Sequence, residues 1–178
     1  MSTLNSLNAK AVDADAPRLS FVSNPRTIIL DITEIEMDKV TLPIHPEHPD
    51  KGVREWPLGD SPLKVKIASD DFTSREARRL KDFADIGIHH KKTVGGWTGD
   101  ISRTDRFGNT PIIHWLPSNI AQPAVLLHEE EGELCMHVGL LEVNDYPDGT
   151  VVQLERMGFA ILEGTEEDGA RRLVRLHG

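Results

Sequence analysis

Histidine is the side chain best suited to metal binding or proton transfer near neutral pH, and this chain has eight. His45 and His48 stand three apart, and His89 and His90 are adjacent. On a helix, residues three apart share a face and can reach one ion. Pro46 and Pro49 forbid that helix, so the pair is expected in a rigid surface loop holding no metal. His89-His90-Lys91-Lys92 reads as a solvated basic patch able to touch phosphate. Carboxylates cluster at Glu129-Glu130-Glu131 and at Glu166-Glu167-Asp168. A glycosidase needs two carboxyl groups at a fixed separation in a cleft, whereas these runs read as solvated turns. No GxxxxGKS/T, GxGxxG, GxSxG or HExxH occurs. Gly95-Gly96-Trp97-Thr98-Gly99 is glycine-rich but no helix start follows it, so it reads as a hairpin and not a phosphate loop. No catalytic residue is assigned. Three tryptophans could stack on unpaired bases. Trp115 lies in an apolar run and is expected in the core; Trp56 and Trp97, near turns, are the better stacking candidates.

The elements that must position these groups read as strands. Short β-branched, aromatic or alternating runs fall at 19–22, 27–32, 34–37, 63–67, 79–88, 112–116, 124–128, 134–138, 151–154, 159–162 and 171–177. Residues 74–80 could instead begin a helix. Asn24-Pro25, the proline-rich stretch 43–49, Gly108-Asn109, Glu131-Gly132 and Pro147-Asp148-Gly149 punctuate them as turns or loops. Frequent short strands without helix-length periodic segments between them indicate an all-β barrel or sandwich and argue against a parallel α/β sheet.

Composition narrows the classes further. The chain has 178 residues, 38% hydrophobic and 28% charged, enough to bury a core without staples. It has no apolar run long enough to span a bilayer, and residues 1–16 lack the basic and apolar segments of a secretory signal. The single cysteine, Cys135, excludes an internal disulfide, leaves no cysteine-based zinc site expected, and fits a reducing cytoplasm. The net charge of −9 opposes nucleic-acid binding in aggregate. It is unevenly spread. From Glu129 to Asp168 there are 12 acidic residues and one basic residue, Arg156, a local charge of −11; the remainder sums to +2. A polyanion can therefore still dock on the earlier part of the chain.

Ala16-Pro17-Arg18, with Phe21-Val22 and Asn24-Pro25, resembles the entry to the anticodon-binding region of glutaminyl- and archaeal or eukaryotic-type glutamyl-tRNA synthetases, and further motifs of that region follow in order. Thr41-Leu42-Pro43-Ile44-His45-Pro46, with Pro49 and Gly52-Val53-Arg54, resembles its proline-histidine loop. Arg79-Leu80-Lys81-Asp82 is similar to an "RLRN" strand, and Ile113-His114-Trp115-Leu116 to an "IHW" strand. Val152-Gln153-Leu154-Glu155-Arg156 with Gly158-Phe159 is similar to a "VQFER-GF" signature. The short loops between them favour the archaeal glutamyl type.

The resemblance implies an all-β fold of two ribosomal-protein-like β-barrels, the distal one inserted in the proximal one. Residues 1–16 would end a preceding helical subdomain, 17–58 and 118–178 would form the proximal barrel, and 59–117 the distal one. The "HIGH" and "KMSKS" motifs that handle ATP in the full enzyme are absent, so the resemblance implies a non-catalytic region of a glutamate–tRNA ligase. No cofactor is expected in this chain; ATP and Mg²⁺ would bind a catalytic domain of the same synthetase. The implied partners are tRNA-Glu and that catalytic domain, with no membrane and no DNA. By resemblance, Arg18, Gln153 and Arg156 would read the central uridine of the anticodon and Arg79 its first base. Weaker candidates are Arg75, Arg78, Trp97, Lys91 and Lys92. The chemistry is compatible: arginine offers a planar fork of donors, and glutamine offers both a donor and an acceptor to a uracil edge. On a regular strand Gln153 and Arg156 face opposite ways, so the chain must bend or bulge near Met157-Gly158. A glutaminyl enzyme carries a Lys-Arg pair where this chain has Asp70-Asp71, which tilts the expectation to tRNA-Glu over tRNA-Gln. A ribosomal-type RNA-binding barrel, a glutaminyl anticodon region and a histidine-metal β-barrel enzyme are the alternatives; a cupin-like HxH is absent.

Overall fold

The computed structural model describes residues 15–72, 76–91, 96–105 and 108–176. Apart from single 3₁₀ turns, its elements are all strands. In chain order they are β1 (Arg18–Leu19), β2 (Phe21–Ser23), β3 (Pro25–Leu30), β4 (Lys39–Pro43), β5 (Val53–Pro57), β6 (Leu63–Ala68), β7 (Arg78–Leu80) and β8 (Ala84–Lys91). There follow β9 (Gly96–Arg103), β10 (Ile112–Ile113), β11 (Trp115–Pro117), β12 (Ala121–Glu130), β13 (Glu133–Glu142), β14 (Val151–Leu154), β15 (Gly158–Thr165) and β16 (Arg171–Arg175). Among the described residues no helix is long and apolar enough to cross a membrane.

The chain divides into two compact units. One takes the described residues up to Phe21, Pro43–Arg54 and the chain from Gln122; the other takes Val22–Leu42 and Glu55–Ala121. Residues 22–42, 55–58 and 118–121 therefore group with 59–117, where the resemblance implied 17–58 and 118–178 as one barrel. Each unit is built on a seven-stranded, nearly closed sheet. The order is β1-β14-β15-β16-β12-β13-β2 in the first and β10-β7-β8-β9-β3-β6-β11 in the second. In both, the two edge strands are consecutive in sequence and separated by one residue, Ser20 or His114. A single residue cannot span a flat seven-stranded sheet, so each sheet must curl until its edges meet. The core of the first unit lies inside that curl: Leu19, Leu126, Leu141, Val152, Leu154 and Leu162 are buried together. In the second, the Trp115 ring stacks on Phe83 at 5.2 Å and meets Trp56 edge-on at 5.5 Å. Its Nε1 donates to the Lys81 carbonyl at 2.9 Å, satisfying the one polar atom it buries. Trp56 is thus a core residue, 3% exposed, and not a stacking surface.

Local chemistry accounts for departures from the expected strands. The alternating run 34–37 is not a strand. Asp31 accepts from both the Thr33 amide at 3.0 Å and the Thr33 hydroxyl at 2.6 Å, and Ile35 N–H closes a turn on the Ile32 carbonyl. Such side-chain bonds compete with a ladder. The run 79–88 is two strands, folded back at Asp82, whose φ is +57°. The glycine-rich segment supplies β9, where Gly99 is needed for a close approach: a Cβ there would sit 2.6 Å from Leu30 Cδ2.

The closure of the first sheet is held by a buried ion pair. The Ser20 amide donates to Glu142 Oε2 at 3.1 Å, and the Glu142 amide donates back to the Ser20 carbonyl at 3.0 Å. Arg54 Nε lies 2.9 Å from Oε1 and 3.1 Å from Oε2 of the same carboxylate, with side chains 13% and 5% exposed. Removing one partner leaves a buried charge uncompensated. Arg54→Ala is expected to lower the unfolding free energy by about 3–5 kcal/mol in urea titrations; a loss under about 1 kcal/mol contradicts a closing role.

Candidate functional site

β1 pairs in parallel with β14, and the register sets Arg18 opposite Gln153 and Leu19 opposite Leu154. The Gln153 amide donates to the Pro17 carbonyl at 2.9 Å and the Glu155 amide to the Leu19 carbonyl at 3.2 Å. The Arg18 amide donates to the Ile44 carbonyl at 2.9 Å, tying β1 to the proline-histidine loop. On the other side of β14, antiparallel pairing sets Gln153 opposite Phe159. Residues directly opposite one another share a face of the sheet. Leu19, Val152, Leu154 and Ala160 point into the core, so Arg18, Gln153 and Phe159 form a row across three strands on the outer face. All three are half-buried.

The bend that sequence reasoning required after Gln153 is present. The Met157 amide donates to the Leu154 carbonyl at 3.0 Å, closing a tight turn between β14 and β15. Arg156 sits at its third position with φ +68°, and Gly158 follows at +93°. A left-handed arginine is uncommon and carries a backbone cost. Here it projects an exposed guanidinium from the turn that ends the Gln153 strand. Arg175, exposed at the end of β16, lies over Gly158, whose missing Cβ would be 3.8 Å from the Arg175 Nε.

Gln153 carries an unsatisfied group. Its Oε1 is buried and has no hydrogen-bond partner among the described residues. An orphaned buried acceptor costs roughly 1–3 kcal/mol, so its retention asks for an explanation. A ligand N–H would satisfy it once the side-chain amide turned outward. The row thus sets the Arg18 guanidinium, the Gln153 amide and the Phe159 ring side by side. Together these match a planar heterocycle with a polar edge.

The remaining candidates lie in the second unit. Arg79, opposite Asp85 in the β7–β8 ladder, is held in an ion pair at 2.8 Å, with side chains 11% and 7% exposed. Thr110 Oγ1 also donates to Asp85, at 3.0 Å. Arg78 Nη1 pairs with Glu76 at 2.9 Å. Trp97 is half-buried, edge-on to Phe72 at 4.6 Å and to His90 at 5.1 Å, with the Arg26 guanidinium 4.8 Å over the Phe72 ring. Lys91 ends β8; its side chain, and all of Arg75 and Lys92, lie outside the described residues. His45 is fully buried, and its Nδ1 accepts from the Glu47 amide at 3.2 Å. The histidine loop expected at the surface is therefore anchored inward.

Sequence reasoning did not assign Phe159, Arg175, Arg26 or Phe72. Phe159 stood in the quoted signature, but only the ladder register shows that it flanks Gln153. Nothing local to 171–177 marks Arg175, because its neighbourhood to Gly158 is made by strand pairing.

Comparison with known proteins shows the family. The family described as tRNA synthetases class I (E and Q), anti-codon binding domain, matches residues 16–104, half of the chain. The glutamate–tRNA ligase of Pyrococcus furiosus is 32% identical over 175 residues, covering 93% of this chain and 29% of the relative. That of Methanosarcina barkeri is 33% identical over 172 residues, covering 94% and 28%. That of Sulfolobus acidocaldarius is 28% identical over 177 residues, covering 98% and 30%. The chain thus spans less than a third of the length of these curated relatives.

If the Gln153 amide serves a ligand and not the fold, Gln153→Met should leave stability unchanged to within about 0.5 kcal/mol, or raise it. Chemical denaturation checks this, and a loss above about 1 kcal/mol would reveal a structural hydrogen bond instead.

Proposed function

Because the chain belongs to the anticodon-binding domain family of class I (E and Q) tRNA synthetases, we propose that it binds the anticodon loop of tRNA-Glu as part of a cytoplasmic glutamate–tRNA ligase. ATP-dependent aminoacylation, with its Mg²⁺, then belongs to a catalytic domain in a longer polypeptide or another chain. The observation that supports this reading best is the row Arg18–Gln153–Phe159 beside the Arg156 turn.

The recognition follows from donor and acceptor pattern. An unpaired uracil presents an imino N–H between two carbonyl oxygens. The Gln153 Oε1 accepts from the imino group while its amide N–H donates to one carbonyl. The Arg18 guanidinium donates to the other carbonyl or to a neighbouring phosphate. Phe159 gives the base a face to stack on, a contribution of about 1–3 kcal/mol that any base can use. Selectivity thus rests on the glutamine and arginine. Cytosine replaces the imino donor with an acceptor and the O4 acceptor with an amino donor, so the same amide orientation would meet two mismatches. Arg156, on an exposed turn in an acidic stretch, supplies a cation to the base edge or the adjoining phosphate. In the second unit, Arg79 as a reader of the first anticodon base would have to use donors its Asp85 pair leaves over. Trp97 and the Arg26–Phe72 pair offer a mixed aromatic and cationic surface for the loop. The absence of a Lys-Arg pair at Asp70-Asp71 favours tRNA-Glu over tRNA-Gln.

Binding of anticodon stem-loop RNAs by the 178-residue protein tests this. Arg156→Ala is expected to weaken the middle-uridine RNA by about 1–3 kcal/mol and a middle-cytidine RNA by less. Equal weakening for both reduces Arg156 to a phosphate contact. No preference for middle uridine in the unsubstituted protein overturns the assignment of Gln153 as reader.

A further inference from the structure

Near its turn the β12–β13 hairpin sets apolar residues of β13 outward and polar ones inward, while Leu126 and Leu141 nearer its base stay in the core. Leu134, Met136 and Val138 are 76%, 59% and 58% exposed. The alternate residues of β13, Cys135 and His137, are half-buried, and His128 on β12 is 8% exposed. A one-residue slip of register would exchange the two sets. Apolar burial alone favours that slip, so the observed register asks what the inward polar residues do.

We propose that His128, Glu130 and Cys135 form a binding site for a borderline divalent cation such as Zn²⁺. The two-residue loop Glu131-Gly132, with φ +54° and +84°, opposes Glu130 to Glu133 and hence His128 to Cys135. Glu130, two residues beyond His128, shares its face. One ligand atom from each of the three lies within 4.8 Å of the others. His128 Nε2 is 3.5 Å from Glu130 Oε2. A tetrahedral ion with bonds of about 2.0–2.3 Å needs ligand atoms about 3.3–3.8 Å apart, so the histidine and carboxylate already fit and the thiol closes by about 1 Å.

A second observation points to a ligand. The His128 side chain is more than nine-tenths buried, and its Nδ1 has no hydrogen-bond partner among the described residues. Nε2 faces the Glu130 carboxylate and is the ring nitrogen that would take the ion, so this buried imidazole is left to that one contact among the described residues. Imidazole with thiolate selects zinc-like ions over Mg²⁺ or Ca²⁺. The cation displaces the Cys135 thiol proton, which leaves to solvent, and binds the resulting thiolate. The fourth position falls to water, because the His137 ring stacks parallel to His128 at 4.6 Å and its in-plane lone pairs cannot meet an ion lying in the His128 ring plane. Glu129, Glu131 and Glu133 around the turn favour a cation. The ion would clamp the hairpin tip and hold the polar face inward. Cysteine spacing does not reveal such a site, because two of its ligands come from other residue types and the grouping is made across strands.

Titration of the metal-free 178-residue protein with Co²⁺ and Zn²⁺ tests the proposal. One ion per chain is expected, with a thiolate-to-Co²⁺ charge-transfer band in the near ultraviolet. Cys135→Ser should abolish that band, and both Cys135→Ser and Glu130→Gln should weaken Zn²⁺ binding at least about tenfold. Circular dichroism of each variant verifies folding; both positions avoid the buried histidine. No saturable binding at micromolar Zn²⁺, or binding unchanged in Cys135→Ser, overturns the proposal.

Discussion

A carboxylate buried beside the backbone of Ser20 governs the first unit. Glu142 accepts from the Ser20 amide and from Arg54, and it sits where the chain leaves one edge of the sheet for the other. The cost of burying such a pair is met only if both partners stay in place. The chain path through Ser20 is therefore fixed. With it is fixed the position of β1 along β14, because β1 is only two residues long and has few ladder bonds of its own. Arg18 stands opposite Gln153 as a consequence. The Arg54 segment also carries the proline-histidine loop, whose Ile44 carbonyl receives the Arg18 amide. Closure and site are one construction.

The charge distribution is compatible with an RNA ligand once distances are considered. At physiological ionic strength, exposed charges more than about 8 Å apart are largely screened, so the net −9 acts mainly on long-range approach and much less on contacts. On the proposed reading the cations that matter are Arg18 in the row, Arg156 in the turn and Arg175 over Gly158. So few cations would give modest affinity through phosphate, and specificity would come from base edges. This makes the unsatisfied Gln153 acceptor the informative feature of the row.

Legibility in the sequence followed the range of the interactions involved. Strands whose side chains alternate against one core, such as Leu63–Ala68 with its buried Leu63, Val65 and Ile67, were readable from period alone. β4 has the same alternation in Lys-Val-Thr-Leu-Pro but is followed by prolines that read as loop, and β9 is rich in glycine. There the deciding contact, Leu30 against Gly99, lies across strands. The run 19–22 reads as one strand. Its division at Ser20 depends on Glu142, more than a hundred residues away. Arg18, Gln153 and Arg156 were named through a resemblance to known motifs. That the first two are ladder neighbours, and that Phe159 completes their row, required the register. Trp56 sits near a turn, as a stacking residue would, yet fills the core beside Trp115.

The chain has two glutamines, Gln122 and Gln153, and Gln122 Nε2 donates to the Glu142 carbonyl at 3.3 Å. Nuclear magnetic resonance of glutamine-labelled protein therefore shows two side-chain amide pairs, one serving as an internal control. An anticodon stem-loop with a middle uridine is expected to move the Gln153 pair and leave the Gln122 pair in place, and one with a middle adenosine to move neither. A Gln153 pair that stays still while RNA binds, or that moves alike for every middle base, contradicts Gln153 as the reader.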